Sequence, residues 1–89
     1  MIFKIMTVMY KKDGYCSGLF NSRSSERFVD EFINRITLEN QTNKQKGLPM
    51  IDINDYEVYC IGMFDDEKIS IEPTNPPVRM PIRISEDNS

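Results

Sequence analysis

The chain has 89 residues, of which 39% are hydrophobic and 28% are charged, and its net charge is −3. This balance is typical of a folded domain rather than a disordered chain, and the length allows one modest core. No apolar run reaches the roughly 18 residues that span a bilayer, and no signal-peptide pattern is present, so we expect a cytoplasmic protein without membrane association. The negative charge disfavours strong non-specific DNA binding, although screening over about 10 Å lets a local basic patch act.

The first two elements predict a β-hairpin. Residues 2–10, IFKIMTVMY, are almost continuously apolar and predict a central strand covered on both faces. The turn Lys11–Gly14 ends in Asp-Gly, a pair that accepts the positive φ angles of a tight hairpin. A second strand over residues 15–20 should pair back on the first, and Gly18 marks it as the weaker, edge-like partner.

The next segment predicts a helix over residues 25–39, preceded by serines that can act as N-caps. Its apolar side chains recur with the spacing of one helical stripe: Phe28, Val29, Phe32, Ile33 and Ile36. From residue 40 to residue 55 the composition turns polar, with Gly47 and Pro49 as breakers. We therefore expect a loop there.

The last third predicts a third strand over residues 56–64. Strict alternation places Tyr56, Val58, Cys60 and Phe64 on one face, and Tyr59, Ile61 and Met63 on the other. An acidic turn and a short fourth strand follow. Residues 73–89 contain four prolines and end in SEDNS, so they predict an extended proline-rich arm with a disordered acidic tip.

These elements predict an α+β fold of order ββαββ. It has a four-stranded antiparallel sheet, in spatial order 2-1-3-4, with one helix packed on one face. Residues 1–72 form the single domain and residues 73–89 the arm. One helix covers only one face, so the arm or a second subunit must cover the other, and we expect a homodimer or larger homo-oligomer. This topology places Cys16 and Cys60 too far apart for a disulfide.

No motif for catalysis or metal binding emerges. The chain has no histidine, the commonest general base and metal ligand. The run Asp65–Glu67 is interpreted as a solvated turn, because neighbouring residues of a turn diverge. Residues 52–55 resemble the start of a calcium loop, but Glu57 stands where glycine is needed and Met63 where a bidentate acid is needed. We predict a protein that is not an enzyme, with no cofactor and no metal site.

The strongest polar pattern is basic and aromatic, and it lies at the tip of the first hairpin. Bases of single-stranded nucleic acid stack on aromatic rings while cationic side chains neutralise phosphates. The candidate nucleic-acid-binding residues are Tyr10, Lys11, Lys12, Tyr15 and Arg23. An alternative interpretation stays open. In it the lysines belong to an ordinary solvated turn and the tyrosines are half-buried core residues. Arg79 and Arg83 are further candidates for a DNA contact or for ion pairs with a neighbouring subunit.

The segment 54–66, NDYEVYCIGMFDD, resembles the small non-structural protein of gokushovirus-type microviruses, which are single-stranded DNA phages. The resemblance extends to the opening strand, the helix around Phe32 and the proline-bearing tail. It implies a role in genome replication or packaging in the cytoplasm of an infected bacterium, through DNA or through a phage or host replication protein. Two positions depart from the family pattern: Asp30 replaces a basic residue and Lys68 replaces a glycine.

The residues and the resemblance together imply two alternative functions. The first is a non-enzymatic accessory protein of single-stranded DNA replication or packaging that binds single-stranded DNA as an oligomer. The second is a protein-protein interaction module that engages a phage or host protein through the sheet face or the C-terminal arm. The acidic composition favours the second, and the basic hairpin tip favours the first.

Overall fold

A computed structural model describes residues 1–82 and places one helix against an antiparallel sheet of five strands. The predicted α+β class is confirmed. The sheet runs β2–β1–β4–β5, and β3 also pairs with β1. The elements are β1 (Ile2–Tyr10), β2 (Tyr15–Cys16), β3 (Phe20–Ser22), α1 (Ser25–Lys46), a single 3₁₀ turn (Ile53–Asp55), β4 (Tyr56–Asp65) and β5 (Ser70–Met80).

The predicted second strand is divided into β2 and β3, so the predicted four-strand order is not confirmed. The chain leaves the edge of β1 between them, at Gly18, where φ is 111°. The Thr7 hydroxyl donates to the Gly18 carbonyl at 2.7 Å, and the Ser17 amide donates to the Val8 carbonyl at 2.8 Å. These two bonds hold the excursion against β1. The excursion is possible because glycine adopts a backbone angle that other residues rarely take.

The predicted proline-rich arm is not confirmed either, because β5 continues as far as Met80 and the predicted boundary after residue 72 falls inside it. The ladder passes from Gly62–Pro73 to Cys60–Val78, so residues 74–77 form an excursion from the sheet. Prolines are tolerated here because β5 is an edge strand, whose outer backbone groups need no partner. The predicted acidic tip lies outside the described residues.

Helix α1 ends at Lys46 rather than at the predicted residue 39. Gly47 ends it with a left-handed φ of 70°, and the Leu48 amide donates to the Asn43 carbonyl at 2.8 Å. Lys44 and Lys46 lie in the last turn, where their positive charges interact favourably with the negative end of the helix dipole. The predicted loop is therefore helical over its first half.

The core lies between α1 and one face of the sheet, where Met6, Val8, Val58 and Cys60 pack with Val29. The predicted alternation along β4 is wrong beyond Cys60. The β1–β4 pairing shifts there, which leaves Ile61 as an extra residue in β4. A bulge reverses the sides of all residues that follow it, because strand side chains alternate with period two.

After the bulge, Met63 pairs with Lys4 and Phe64 with Phe3. Met63 therefore points toward the helix layer, and its sulfur accepts a hydrogen bond from the Lys4 ammonium at 3.8 Å. Phe64 points to the second face of the sheet, away from α1.

The second face of the sheet is buried at its centre without a second subunit. Ile5 is 6% exposed and Thr7 is 4% exposed, although both point away from α1. Gly62 lies opposite Ile5, and a Cβ on Gly62 would stand 2.7 Å from the Glu72 carbonyl oxygen. The backbone of the neighbouring strand β5 therefore lies against Gly62, in the space that a side chain would need. The prediction of a homo-oligomer loses its main support, although Phe3 and Phe64 stay half-buried there.

Both cysteines are free, in agreement with the predicted absence of a disulfide. Cys60 is buried in the core. Cys16 is exposed on the edge strand β2.

Candidate nucleic-acid interface

Three tyrosines lie side by side across three strands at the hairpin end of the sheet. Tyr10 of β1 pairs with Tyr15 of β2 on one side and with Tyr56 of β4 on the other. Directly opposed residues share a face, so the three side chains form one line on the helix side of the sheet. We call Tyr15, Tyr10 and Tyr56 the tyrosine row.

The rings of the row differ in exposure. The Tyr10 and Tyr56 ring centroids are 5.1 Å apart and tilted by 44°, and both residues are half-buried. Phe32 of α1 meets the Tyr56 ring edge-on at 5.8 Å. Burial raises the pKa of the Tyr56 phenol above its ordinary value of 10.0. Tyr15 is 74% exposed, which leaves its ring accessible for stacking by a flat ligand.

The two lysines of the turn have different surroundings. The Lys12 ammonium lies 3.5 Å from the Asp55 carboxylate, which raises the pKa of Lys12, with a smaller contribution from Tyr10. Lys11 is exposed, and no carboxylate among residues 1–82 lies within 4.0 Å of its ammonium. The Lys11 amide donates to the Asp55 carbonyl at 2.8 Å, which fixes the backbone of the turn. Lys11 therefore lacks the ion pair that Lys12 makes, and its charge contributes to the lowered pKa of Glu57.

Arg23 lies at the other end of the strand. Its neighbour Ser22 pairs with Lys4, six residues along β1 from Tyr10. At about 3.4 Å per residue this places Arg23 roughly 20 Å from the hairpin tip. The structure thus brings together Tyr10, Lys11, Lys12 and Tyr15, and it separates Arg23 from them.

Arg79 makes an ion pair within its own chain. Its guanidinium donates to Glu57 at 3.0 Å, and the Tyr59 hydroxyl donates to the other oxygen of the same carboxylate at 2.9 Å. These bonds hold the pKa of Glu57 below its ordinary value, and the bond from Tyr59 makes the larger contribution. The Glu57 carboxylate in turn raises the pKa of Tyr59. Sequence reasoning missed this trio, because only the β4–β5 register brings Arg79 beside Tyr59. Arg83 lies outside the described residues.

A cavity of about 240 Å³ lies between α1 and the sheet, next to the tyrosine row. Aromatic rings from both layers line it, and Ser17 of the β2–β3 excursion lies at its edge. The sequence shows no signal for it beyond the aromatic residues themselves, because its walls come from four separate segments. The lining residues are Val8, Ser17, Phe20, Phe28, Glu31, Phe32, Arg35, Ile36, Glu39, Ile51 and Tyr56.

Residues 1–82 hold no group of three His, Cys, Asp or Glu side chains arranged to bind a metal ion. They also include no helix with the length and apolar character needed to cross a membrane.

No protein-family model, curated protein or solved structure matches this chain. The resemblance of residues 54–66 to the microvirus protein therefore stays a prediction.

Proposed function

We propose that this protein is a non-enzymatic accessory protein of single-stranded DNA phage replication or packaging, and that it binds single-stranded DNA at the β1–β2 hairpin. The observation that carries the proposal is the tyrosine row beside Lys11 and Lys12. A base stacks on the exposed Tyr15 ring, while the lysine ammonium groups contact the flanking phosphates. The phage context rests on the resemblance of residues 54–66.

The arrangement supports modest affinity. Lys12 already has a carboxylate partner in Asp55, and the whole chain has a net charge of −3. Each neutralised phosphate of a single strand contributes a slope of about −0.7 to the salt dependence of log K. We expect one or two such contacts, so binding is strongest at low ionic strength.

Fluorescence anisotropy with a labelled oligonucleotide tests this proposal. Lys11→Glu should weaken binding and lower the salt slope, and Lys12→Glu should have a smaller effect because Asp55 already offsets that charge. Lys68→Glu is the matched control, since it makes the same charge change on an exposed turn at the opposite end of the sheet. Equal losses in Lys11→Glu and Lys68→Glu would show that only net charge matters, and no binding at low salt would remove the proposal.

The proposal includes self-association, for which the half-buried Phe3, Met9 and Phe64 on the second face are the support. Two hairpins on one strand would bind more tightly than one. Light scattering coupled to size exclusion should give at least twice the 10.4 kDa chain mass. A monomer at all concentrations would limit the protein to a single hairpin site.

A second candidate function, contact with a phage or host protein, is favoured by the end of the sheet opposite the tyrosine row. Ile69 is 81% exposed and Ile71 is 64% exposed, and Ile2 nearby is 57% exposed. Ile69 also has a φ of 52°, which is unfavourable for a β-branched residue. A pull-down from infected cells that survives nuclease treatment, and that Ile69→Lys abolishes, would support this function.

A further inference from the structure

The cavity beside the tyrosine row has an aromatic lining that suits a flat ring. Two rings come from the helix, Phe28 and Phe32, and two come from the sheet, Phe20 and Tyr56. They form two pairs, with centroids 5.6 Å apart for Phe20 and Phe28 and 5.8 Å apart for Phe32 and Tyr56. Because each pair already joins a helix ring to a sheet ring, a planar guest in the cavity contacts aromatic surface beside these pairs.

The edge of the cavity is polar, unlike its interior. Glu31, Arg35 and Glu39 follow one another at intervals of four residues on α1, so their side chains share one face of the helix. Arg27 already pairs with Glu31 at 3.4 Å. A guest that is apolar on its faces and carries hydrogen-bonding groups on its rim fits this combination, and a nucleobase has this character.

The cavity is continuous with the hairpin site. Tyr56 belongs to the tyrosine row and also lines the cavity, and Ser17 follows β2 two residues after Tyr15. A strand held at Tyr15 therefore has its neighbouring nucleotide close to the cavity. Resting on the proposed function, we infer that the cavity takes one unpaired base of the bound strand. The Glu39 carboxylate at its rim favours bases with an exocyclic amino group, cytosine or adenine, since carboxylates accept hydrogen bonds from such groups.

The test compares three oligonucleotides of one length by anisotropy: oligo-dC, oligo-dT and an abasic strand with the same backbone. Wild-type protein should bind oligo-dC about fivefold or more tightly than the abasic strand, since one stacked base contributes about 1–3 kcal/mol. Oligo-dT should fall between them. Equal affinity for oligo-dC and the abasic strand would overturn the inference together with the base stacking on Tyr15, and it would leave only the phosphate contacts of the proposed function. Absence of binding to all three strands would overturn both.

Ser17→Leu is designed to block the cavity, and Ser70→Leu makes the same change on the exposed start of β5. The first variant should lose the preference for oligo-dC over oligo-dT, which the cavity provides, while it keeps the binding to the abasic strand and the base stacking on Tyr15. The second should behave like wild type. Retention of the preference in Ser17→Leu would overturn the inference.

A second variant keeps the test independent of how well Ser17→Leu folds. Glu39→Gln changes an exposed carboxylate at the rim without adding bulk. It should reduce the ratio of oligo-dC to oligo-dT affinity at least twofold. An unchanged ratio would overturn the assignment of Glu39 to base recognition.

Discussion

The side chain of Asn40 makes two hydrogen bonds with the backbone of Ile51. Its Nδ2 donates to the Ile51 carbonyl at 2.9 Å, and the Ile51 amide donates to its Oδ1 at 2.7 Å. Three residues further along the helix, Asn43 donates to the Pro49 carbonyl at 3.2 Å. The chain that returns from α1 to β4 is thus held to the helix by side-chain amides, which positions Ile51 at the aromatic cavity.

Asn40→Ala should destabilise the fold by about 1–3 kcal/mol, because it leaves a partly buried amide and carbonyl of Ile51 without partners. Asn34→Ala is the control, since Asn34 is exposed on the same helix. Urea unfolding of both variants measures the difference. An Asn40→Ala variant as stable as Asn34→Ala would show that water replaces both bonds without cost.

Gly62→Ala should also destabilise the protein, by about 1–3 kcal/mol, because the new methyl group would meet the Glu72 carbonyl at 2.7 Å. Both groups belong to paired strands, so relief requires the backbone of β5 to move. Asn21→Ala, at an exposed position of β3, serves as control in the same unfolding experiment. A neutral effect of Gly62→Ala would mean that the backbone of β5 does not lie this close to Gly62.

Ile69→Gly should stabilise the protein by roughly 1 kcal/mol. Ile69 has a φ of 52°, which costs a β-branched residue energy that glycine avoids, and its side chain is 81% exposed, so little packing is lost. Ile71→Gly, in the extended backbone of β5, should instead destabilise. Thermal unfolding compares the two variants. The strain argument fails if both substitutions lower the melting temperature equally.

The Glu57 carboxylate predicts a specific acid dependence of stability. Its pKa lies below the ordinary value of 4.5 in the folded protein, because Tyr59 and Arg79 donate to it. A lowered folded pKa contributes stability above the unfolded value, and this contribution is lost as the pH falls through the folded pKa. Glu57→Gln should therefore lower the free energy of unfolding at pH 7. Between pH 5 and pH 2 this variant should lose less stability than the wild-type protein does. Glu72→Gln, an exposed residue of β5, is the control. Parallel pH profiles for wild type and Glu57→Gln would contradict the assignment.

The features predicted best from the sequence are those set by residues close together in the chain, such as the bounds of β1 and the start of α1. The bounds of β1 follow from its continuous apolar run and from the turn Lys11–Gly14, and the start of α1 follows from its serine caps. The end of α1 was missed because Asn40–Lys46 has no apolar stripe. Gln and Lys are good helix formers, and Gly47 was the available signal for the helix end.

The remaining differences arise from contacts between strands. The bulge at Ile61 and the strand character of residues 73–80 depend on how β4 pairs with β1 and β5, which spacing within one segment does not reveal. In the candidate site, too, one part was predictable from neighbouring residues and the other part depends on strand pairing. The hairpin alone predicted that Tyr10 and Tyr15 meet, whereas Tyr56 and the cavity join them only through the β1–β4 register.

The most direct test of DNA binding at the hairpin is an NMR titration of the isotope-labelled chain with a short oligo-dC at low salt. The amide signals of residues 10–15 and of Tyr56 should shift progressively, while those of residues 65–71 at the opposite end of the sheet stay in place. Shifts confined to residues 65–71, or no shifts at millimolar oligonucleotide, would contradict the proposed interface.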